Sequence, residues 1–290
     1  MGDARKGTIY ALVAVLLFAT LGTGFKLSVS RLDSFTVTVV MGAVATVALF
    51  LNLLVKGKAR LVTEEFRRMP RFFVAAGIIG LGVQQILCLR AYELLPAFQA
   101  VILTYTYPLM MVVLARLVYR ERTTPLSVFC VLLGFGGVYL LLSEGRFMAL
   151  DLSPGVAVAL LTALAFALFC VMIKHGRFDV EVGMFLFNLF GLFFLLCLAP
   201  FFGFDPAIDP GQLLVLIYLG VFPTAVAFIL WNRALHLTRT GRCSNIALLT
   251  PLLSLLIISL VLGERITLHH LAGLLIIVVS VFININFGES

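Results

Sequence analysis

Ten apolar runs, each long enough to cross a bilayer as a helix, follow one another along the chain with charged segments between them. They extend from Thr8 to Phe25, Ser34 to Val55, Phe72 to Leu94, Ala97 to Val118, Pro125 to Leu142, Gly155 to Ile173, Val182 to Phe202, Leu213 to Leu235, Cys243 to Leu262 and Leu268 to Phe287. A hydrocarbon core about 30 Å thick takes about 20 apolar residues per helix. Inside it every backbone N–H and C=O needs a partner, which only helices and closed barrels provide. The runs are continuous rather than short and alternating, which excludes a barrel. With 62% hydrophobic and 12% charged residues, the composition is that of an integral membrane protein. The longest connection, Lys56 to Arg71, is too short for a soluble domain.

Arg5 and Lys6 before the first run imitate a signal peptide, but that run has a counterpart in mid-chain and is expected to remain as the first membrane helix. Gly7, Ala11-Leu12, Leu16, Phe18-Ala19 and Lys26 recur 148 residues later as Gly155, Ala159-Leu160, Leu164, Phe166-Ala167 and Lys174. At a shift of 143, Gly77, Ile86, Arg90-Ala91, Leu94, Pro108-Leu109, Leu117-Val118, Glu121-Arg122 and Thr124 recur as Gly220, Ile229, Arg233-Ala234, Leu237, Pro251-Leu252, Leu260-Val261, Glu264-Arg265 and Thr267. The expected units are residues 1–147 and 148–290, each a five-helix repeat. Five is odd, so the second repeat enters the membrane inverted. The predicted fold is an all-α integral membrane protein of ten transmembrane helices in two inverted five-helix repeats, a layout that suits alternating access to a site near the midplane.

Basic residues collect on cytoplasmic segments. With the N-terminus inside, 16 of the 21 lysines and arginines fall on the cytoplasmic side, leaving Lys26, Arg31, Arg90, Arg146 and Arg265 outside. Both termini are therefore predicted to be cytoplasmic. The net charge of +7 follows from this bias and suits anionic lipid at the inner surface; no nucleic-acid partner is implied.

Cys88, Cys130, Cys170, Cys197 and Cys243 show no paired spacing and give neither a disulfide framework nor a metal signature. His175, His236, His269 and His270 lie at run ends, without metal-ligand spacing. No cofactor or metal is expected. All 14 carboxylates sit in connections or at run ends. Carboxylates buried in a membrane mark proton relays and cation sites, so their absence at mid-depth argues against glutamate-driven drug exchange and an intramembrane aspartyl or zinc hydrolase. With no HExxH, GxSxG or P-loop pattern either, an enzyme is not expected.

The polar residues left near mid-depth are mostly neutral. They are Gln84 and Gln85 in the third run; Thr104, Tyr105, Thr106 and Tyr107 before Pro108 in the fourth; Asn188 in the seventh; Thr224, Trp231 and Asn232 in the eighth; and Asn245 and Thr250 in the ninth. A buried amide in lipid either joins two helices or meets a ligand. Both uses are open for each residue, but together they form the candidate substrate site: Gln84, Gln85, Thr104, Tyr105, Tyr107, Trp231, Asn232 and Asn245. A tyrosine offers an apolar face and a hydroxyl to an organic substrate. Trp231 and Tyr92 also fit an interfacial belt. Pro108 and Pro251, at matched positions, permit kinks and are candidate hinges. Arg90 and Arg233, about a turn inside their run ends, are candidate gating residues or snorkel to the interface. The glycines at 77, 80, 82, 134, 136 and 137 suit close helix packing.

Tyr105-x-Tyr107-Pro108 and Glu121-Arg122-x-Thr124, repeated as Leu249-Thr250-Pro251 and Glu264-Arg265-x-Thr267 within a five-plus-five inverted repeat, resemble the drug/metabolite transporter superfamily, and within it the ten-helix EamA-type group. The resemblance covers essentially the whole chain. It implies an inner-membrane, multi-pass carrier with a central cavity between its halves, commonly an exporter of amino acids, other metabolites or toxic compounds. One departure is that the tryptophan frequent in the family's first helix is replaced by Phe18, with Phe166 in the second half. The chain also lacks the first-helix glutamate of the four-helix multidrug carriers in that superfamily.

The expected function is secondary transport of a small neutral or zwitterionic metabolite, foremost amino-acid export. The alternatives are a drug or toxic-compound exporter, a sugar-phosphate carrier, in which Lys26, Lys174, Arg90 and Arg233 would face the cavity, and a non-transporting membrane scaffold. The expected partners are the substrate and the lipid bilayer, with a homodimer left open.

Overall fold

The computed structural model describes residues 2–29, 32–95, 100, 103–142, 153–204, 207–262 and 268–287. All regular structure among them is helical. The elements are α1 (Gly2–Val29), α2 (Ser34–Val55), α3 (Ala59–Arg68), α4 (Pro70–Gly77), a π-helical segment (Ile78–Val83), α5 (Gln84–Leu94), α6 (Tyr107–Tyr119), α7 (Pro125–Leu142), α8 (Pro154–His175), α9 (Val180–Phe202), α10 (Pro210–Leu219), a second π-helical segment (Gly220–Val226), α11 (Ala227–Leu237), α12 (Thr240–Ala247), α13 (Leu249–Leu262) and α14 (Leu268–Phe287).

Among the described residues, six helical stretches are long and apolar enough to cross a membrane: Asp3–Leu21, Ser34–Val55, Pro70–Cys88, Pro154–His175, Val180–Phe202 and Pro210–Leu237. Tyr107–Tyr119, Pro125–Leu140 and Leu271–Asn284 are apolar but shorter. The chain is thus a multi-pass helical membrane protein. The expected fourth run lies partly outside the described residues, as do Arg31, Arg146, Glu264, Arg265 and Thr267.

Local chemistry sets the helix starts. Asp33 caps α2 by accepting from the Thr36 N–H at 2.8 Å, and Asp179 caps α9 by accepting from the Glu181 and Val182 N–H groups. Asp209 and Gln212 form a reciprocal capping box on α10. Proline occupies the first turn of α4, α8 and α10, where its missing N–H costs nothing.

Four irregularities come in two matched pairs. The π-helical segments occupy corresponding places in the third and eighth runs. The fourth run breaks at Tyr105-Thr106 and the ninth at Leu248, each just before its proline. Pro108 and Pro251 lack the N–H that would continue the ladder, and each ring crowds the carbonyl four residues back. Tighter bonds take over, Thr106 N–H to Leu103 O and Leu248 N–H to Asn245 O, both at 3.1 Å.

The core is dominated by Phe73, Phe169, Phe187, Trp231, Met184 and Ile173, all essentially inaccessible. Apolar side chains such as Val55, Phe201 and Leu260 point outward, as expected of a lipid-facing surface. At one place the backbones nearly touch: a Cβ on Gly77 would lie 2.7 Å from the Phe187 carbonyl oxygen, and one on Gly191 would lie 3.1 Å from that of Gly77. The Lys56 to Arg71 connection contains α3, which tucks Leu61, Val62 and Phe66 against the core, with Phe66 stacked on Phe190 at 5.3 Å.

Candidate functional site

The break before Pro108 places Tyr105 and Tyr107 side by side, ring centroids 5.9 Å apart. Tyr107 meets Phe166 of α8 edge-on at 4.7 Å. Phe166 lies 6.3 Å from Phe228 of α11, and Phe228 lies 5.1 Å from Phe18 of α1. An arc of aromatic rings thus links α1, α6, α8 and α11. Phe18 and Phe166, matched in the sequence repeat, converge on Phe228 from two helices. Phe18, Tyr105, Tyr107 and Phe166 are only partly buried, with rings from neighbouring helices beside them.

The polar neighbours of Tyr105 are Thr250, buried beside the matched break in the ninth run, and the Cys88 thiol of α5. Gln84 stands one helical turn before Cys88 and shares its face of α5. The Thr104 hydroxyl donates to the Ala100 carbonyl at 2.8 Å. Trp231 closes the far end of the arc, 1% exposed, 6.3 Å from Phe18, with its Nε1–H on Cys170 Sγ at 3.4 Å. It belongs to the interior and not to an interfacial belt. Asn232 is buried and directs Nδ2 to Met184 Sδ.

Two of the sequence candidates stand apart from the tyrosines. Gln85 opens into a cleft lined by Thr38, Met41, Gly42, Leu81, Asn188, Leu192, Leu195 and Thr224. Asn245 is fully buried on α12, its Nδ2 about where a Cβ on Gly134 would make contact, at 3.6 Å. Among the described residues, neither polar atom of its side chain has a hydrogen-bond partner.

The end of the molecule that carries the N-terminus is tied by charge. Glu181, 3% exposed, accepts from Lys56 at 2.9 Å and Lys58 at 2.7 Å and pairs with Arg233. The Arg233 guanidinium is therefore held in an ion pair, about 6.0 Å over the Tyr10 ring, rather than released to headgroups. Lys58 also binds Asp179 at 2.6 Å. Burial alone would lower the Lys58 pKa, but the hydrogen bonds and charges of Asp179 and Glu181 outweigh it and raise the value. A second cluster joins α6, α8 and α12. Lys174 lies 3.4 Å from Glu121, which also accepts from the Thr240 N–H at 2.9 Å and hydroxyl at 2.6 Å. Burial would raise the Glu121 pKa, yet the Lys174 charge and the Thr240 hydrogen bonds hold it below its ordinary value. Arg90 is exposed near the opposite end. The Lys26 side chain lies outside the described residues.

Sequence reasoning missed Glu181 as the hub of the first cluster and Thr38 in the cleft. It matched Phe18 and Phe166 in the repeat and noted them as departures from a family pattern, but did not place them in the candidate site. Their recurrence at one shift was the available signal for the pair.

Long apolar helices that cross the membrane several times, with paired helix breaks beside an arc of aromatic rings, define a multi-pass integral membrane protein. The sequence profile of the EamA-like transporter family matches residues 5–143 and again 153–286, and the chain belongs to that family. It is 23% identical to an uncharacterized transporter of Clostridium kluyveri over 97% of this chain and 93% of that one. It is 25% identical to the aromatic amino acid exporter YddG of Ancylobacter novellus over 87% of this chain and 88% of that one. A solved crystal structure superposes with a TM-score of 0.86 at 22% identity, covering 98% of both chains.

Proposed function

We propose that this transporter exports a small neutral or zwitterionic metabolite, foremost an amino acid with an apolar or aromatic side chain, across the inner membrane by alternating access between two inverted repeats, with both termini in the cytoplasm. The observation that carries this reading is the arc of aromatic rings beside the break before Pro108, which in this reading opens as a crevice for the substrate. Ring faces and edges from Phe18, Tyr107, Phe166 and Phe228 suit an apolar body. The Tyr105 and Tyr107 hydroxyls, the Gln84 amide and Thr250 suit its polar end. The YddG relative supports the same class. In this reading Glu181 and Glu121 close the cytoplasmic end, while Pro108 and Pro251 are the hinges.

A phosphorylated substrate fits less well. It calls for cations facing the cavity, and Lys174 and Arg233 are taken up by Glu121 and Glu181. Export of uncharged toxic compounds shares the crevice and differs only in substrate.

Proteoliposomes loaded with labelled phenylalanine, tryptophan, leucine or serine test the reading. Efflux of the aromatic and apolar amino acids, slowed about tenfold or more by Tyr107→Ala, is the expected result, since about 1.4 kcal/mol of lost substrate contact suffices for a factor of ten. Absence of amino-acid flux from the wild type, or normal flux in both Tyr105→Ala and Tyr107→Ala, overturns it.

A further inference from the structure

We propose that the cleft between α2, α5, α9 and the second π-helical segment binds one monovalent cation of sodium size, held entirely by neutral oxygens. The cavity measures about 20 Å³, room for a single water-sized particle and far below the roughly 300 Å³ an organic ligand needs. The substrate therefore does not fit there.

The polar lining is rich in acceptors. Thr38, Asn188 and Thr224 are 2%, 4% and 5% exposed. The Thr38 hydroxyl gives its proton to the Ser34 carbonyl at 2.9 Å, and the Thr224 hydroxyl gives its proton to Leu219 O at 2.8 Å. Asn188 turns its Nδ2 to Met184 O at 3.2 Å. Each donor is thus directed at its own helix, which leaves the two hydroxyl lone pairs and Asn188 Oδ1 as acceptors, and Gln85, in the same lining, carries a fourth oxygen on its amide. A cation can be shared by every acceptor of such a lining, whereas the two protons of a water serve two. Hard cations prefer such oxygen sets. The absence of any carboxylate from the lining fixes the charge at one, because two charges held by neutral oxygens in a low-dielectric interior would be far costlier.

The four oxygens come from four separate helical segments, and two of these adjoin or belong to the matched π-helical segments. π-Segments inside α-helices recur at functional sites, and irregular backbone near the midplane is where secondary transporters hold coupling ions. Filling the cleft ties α2 and α9 to both irregular helices.

The test is thermal unfolding of the purified protein in nanodiscs, without substrate, in NaCl against N-methyl-D-glucamine chloride at equal ionic strength. The expected result is a saturable Na⁺-dependent rise in Tm of about 2–4 °C. Thr38→Val and Thr224→Val keep the shape and remove an oxygen, so they abolish the rise, whereas Thr38→Ser retains it. Equal Tm in the two salts shows a cleft that holds water only and overturns the proposal. So does a Na⁺ response left intact in both valine variants, which puts the ion elsewhere. A larger response to K⁺ than to Na⁺ overturns the size assignment. The measurement uses no transported substrate, so a chain that binds Na⁺ here yet moves no amino acid refutes the transport reading and not this one.

Discussion

Lys174 of α8 and Glu121, just beyond α6, meet at 3.4 Å, and Thr240 at the start of α12 closes on the same carboxylate from the other side. Three helices that lie far apart in sequence are joined at one point on the end of the molecule that carries the N-terminus.

Glu121→Gln removes that charge and is expected to let α12 separate from α8. Cys243, fully buried on α12 and 2.8 Å from the Thr238 hydroxyl, is a native reporter. Its labelling by a membrane-permeant maleimide, followed by mass spectrometry, should accelerate about tenfold, the factor given by about 1.4 kcal/mol of lost closed-state stability. Unchanged labelling would mean that the pair does not hold this end shut. Acid should act in the same direction. Because the Glu121 pKa is depressed in the folded protein, its contribution is present above the ordinary carboxylate value of 4.5 and is lost as the pH falls through the depressed one. At the alkaline limit the sign reverses for Lys58. Its raised pKa gives a contribution that is complete below the ordinary 10.5 and is lost as the pH rises through the folded value.

Trp231 is the sole tryptophan and reports on the aromatic arc without engineering. Buried against Phe18 and Cys170, it should emit at short wavelength and resist quenching by aqueous iodide. Trp231→Ala should destabilise by about 3–5 kcal/mol, the usual range for emptying such a site. Red-shifted emission from the folded wild type would place the indole in water and contradict its burial.

The contact between Gly77 and Gly191 leaves no room for a methyl group, since a Cβ would meet the Phe187 carbonyl oxygen at one position and the Leu81 Cβ and Gly77 carbonyl oxygen at the other, and none of these can rotate away. Gly77→Ala and Gly191→Ala should each lower Tm and expression. Gly136→Ala, with nothing within 4 Å of the added atom, should be neutral or slightly stabilising, by up to about 1 kcal/mol from better helix propensity. Equal behaviour of the three variants in thermal unfolding would refute the close-approach account.

Pro108→Ala and Pro251→Ala restore a backbone N–H where each helix breaks. Both variants should fold with Tm equal to or above wild type, because a helix bond is regained, yet exchange substrate more slowly, because a straighter helix resists bending. Wild-type exchange rates in the double variant would remove the hinge role.

Much of this was legible in the sequence. The start of α2 at Ser34 and its end at Val55 follow from an aspartate cap at one end and a Lys-Gly pair at the other. The breaks in the fourth and ninth runs follow from Pro108 and Pro251. What escaped has physical causes. A π-helical segment is an extra residue in one turn, and in a run where nearly every side chain is apolar no periodicity marks it. Glu181 looked like one more carboxylate at a run end, because its three cationic partners come from positions more than 50 residues away. Gln84 and Gln85 looked alike in sequence, but adjacent helical positions face directions about 100° apart, and only Gln85 is in the lining of the cleft.

The two π-helical segments and the two proline breaks stand at corresponding places under a single numerical shift. Each half thus interrupts its hydrogen-bond ladder at the same two points, and the stiffness of the third and fourth runs is matched by that of the eighth and ninth.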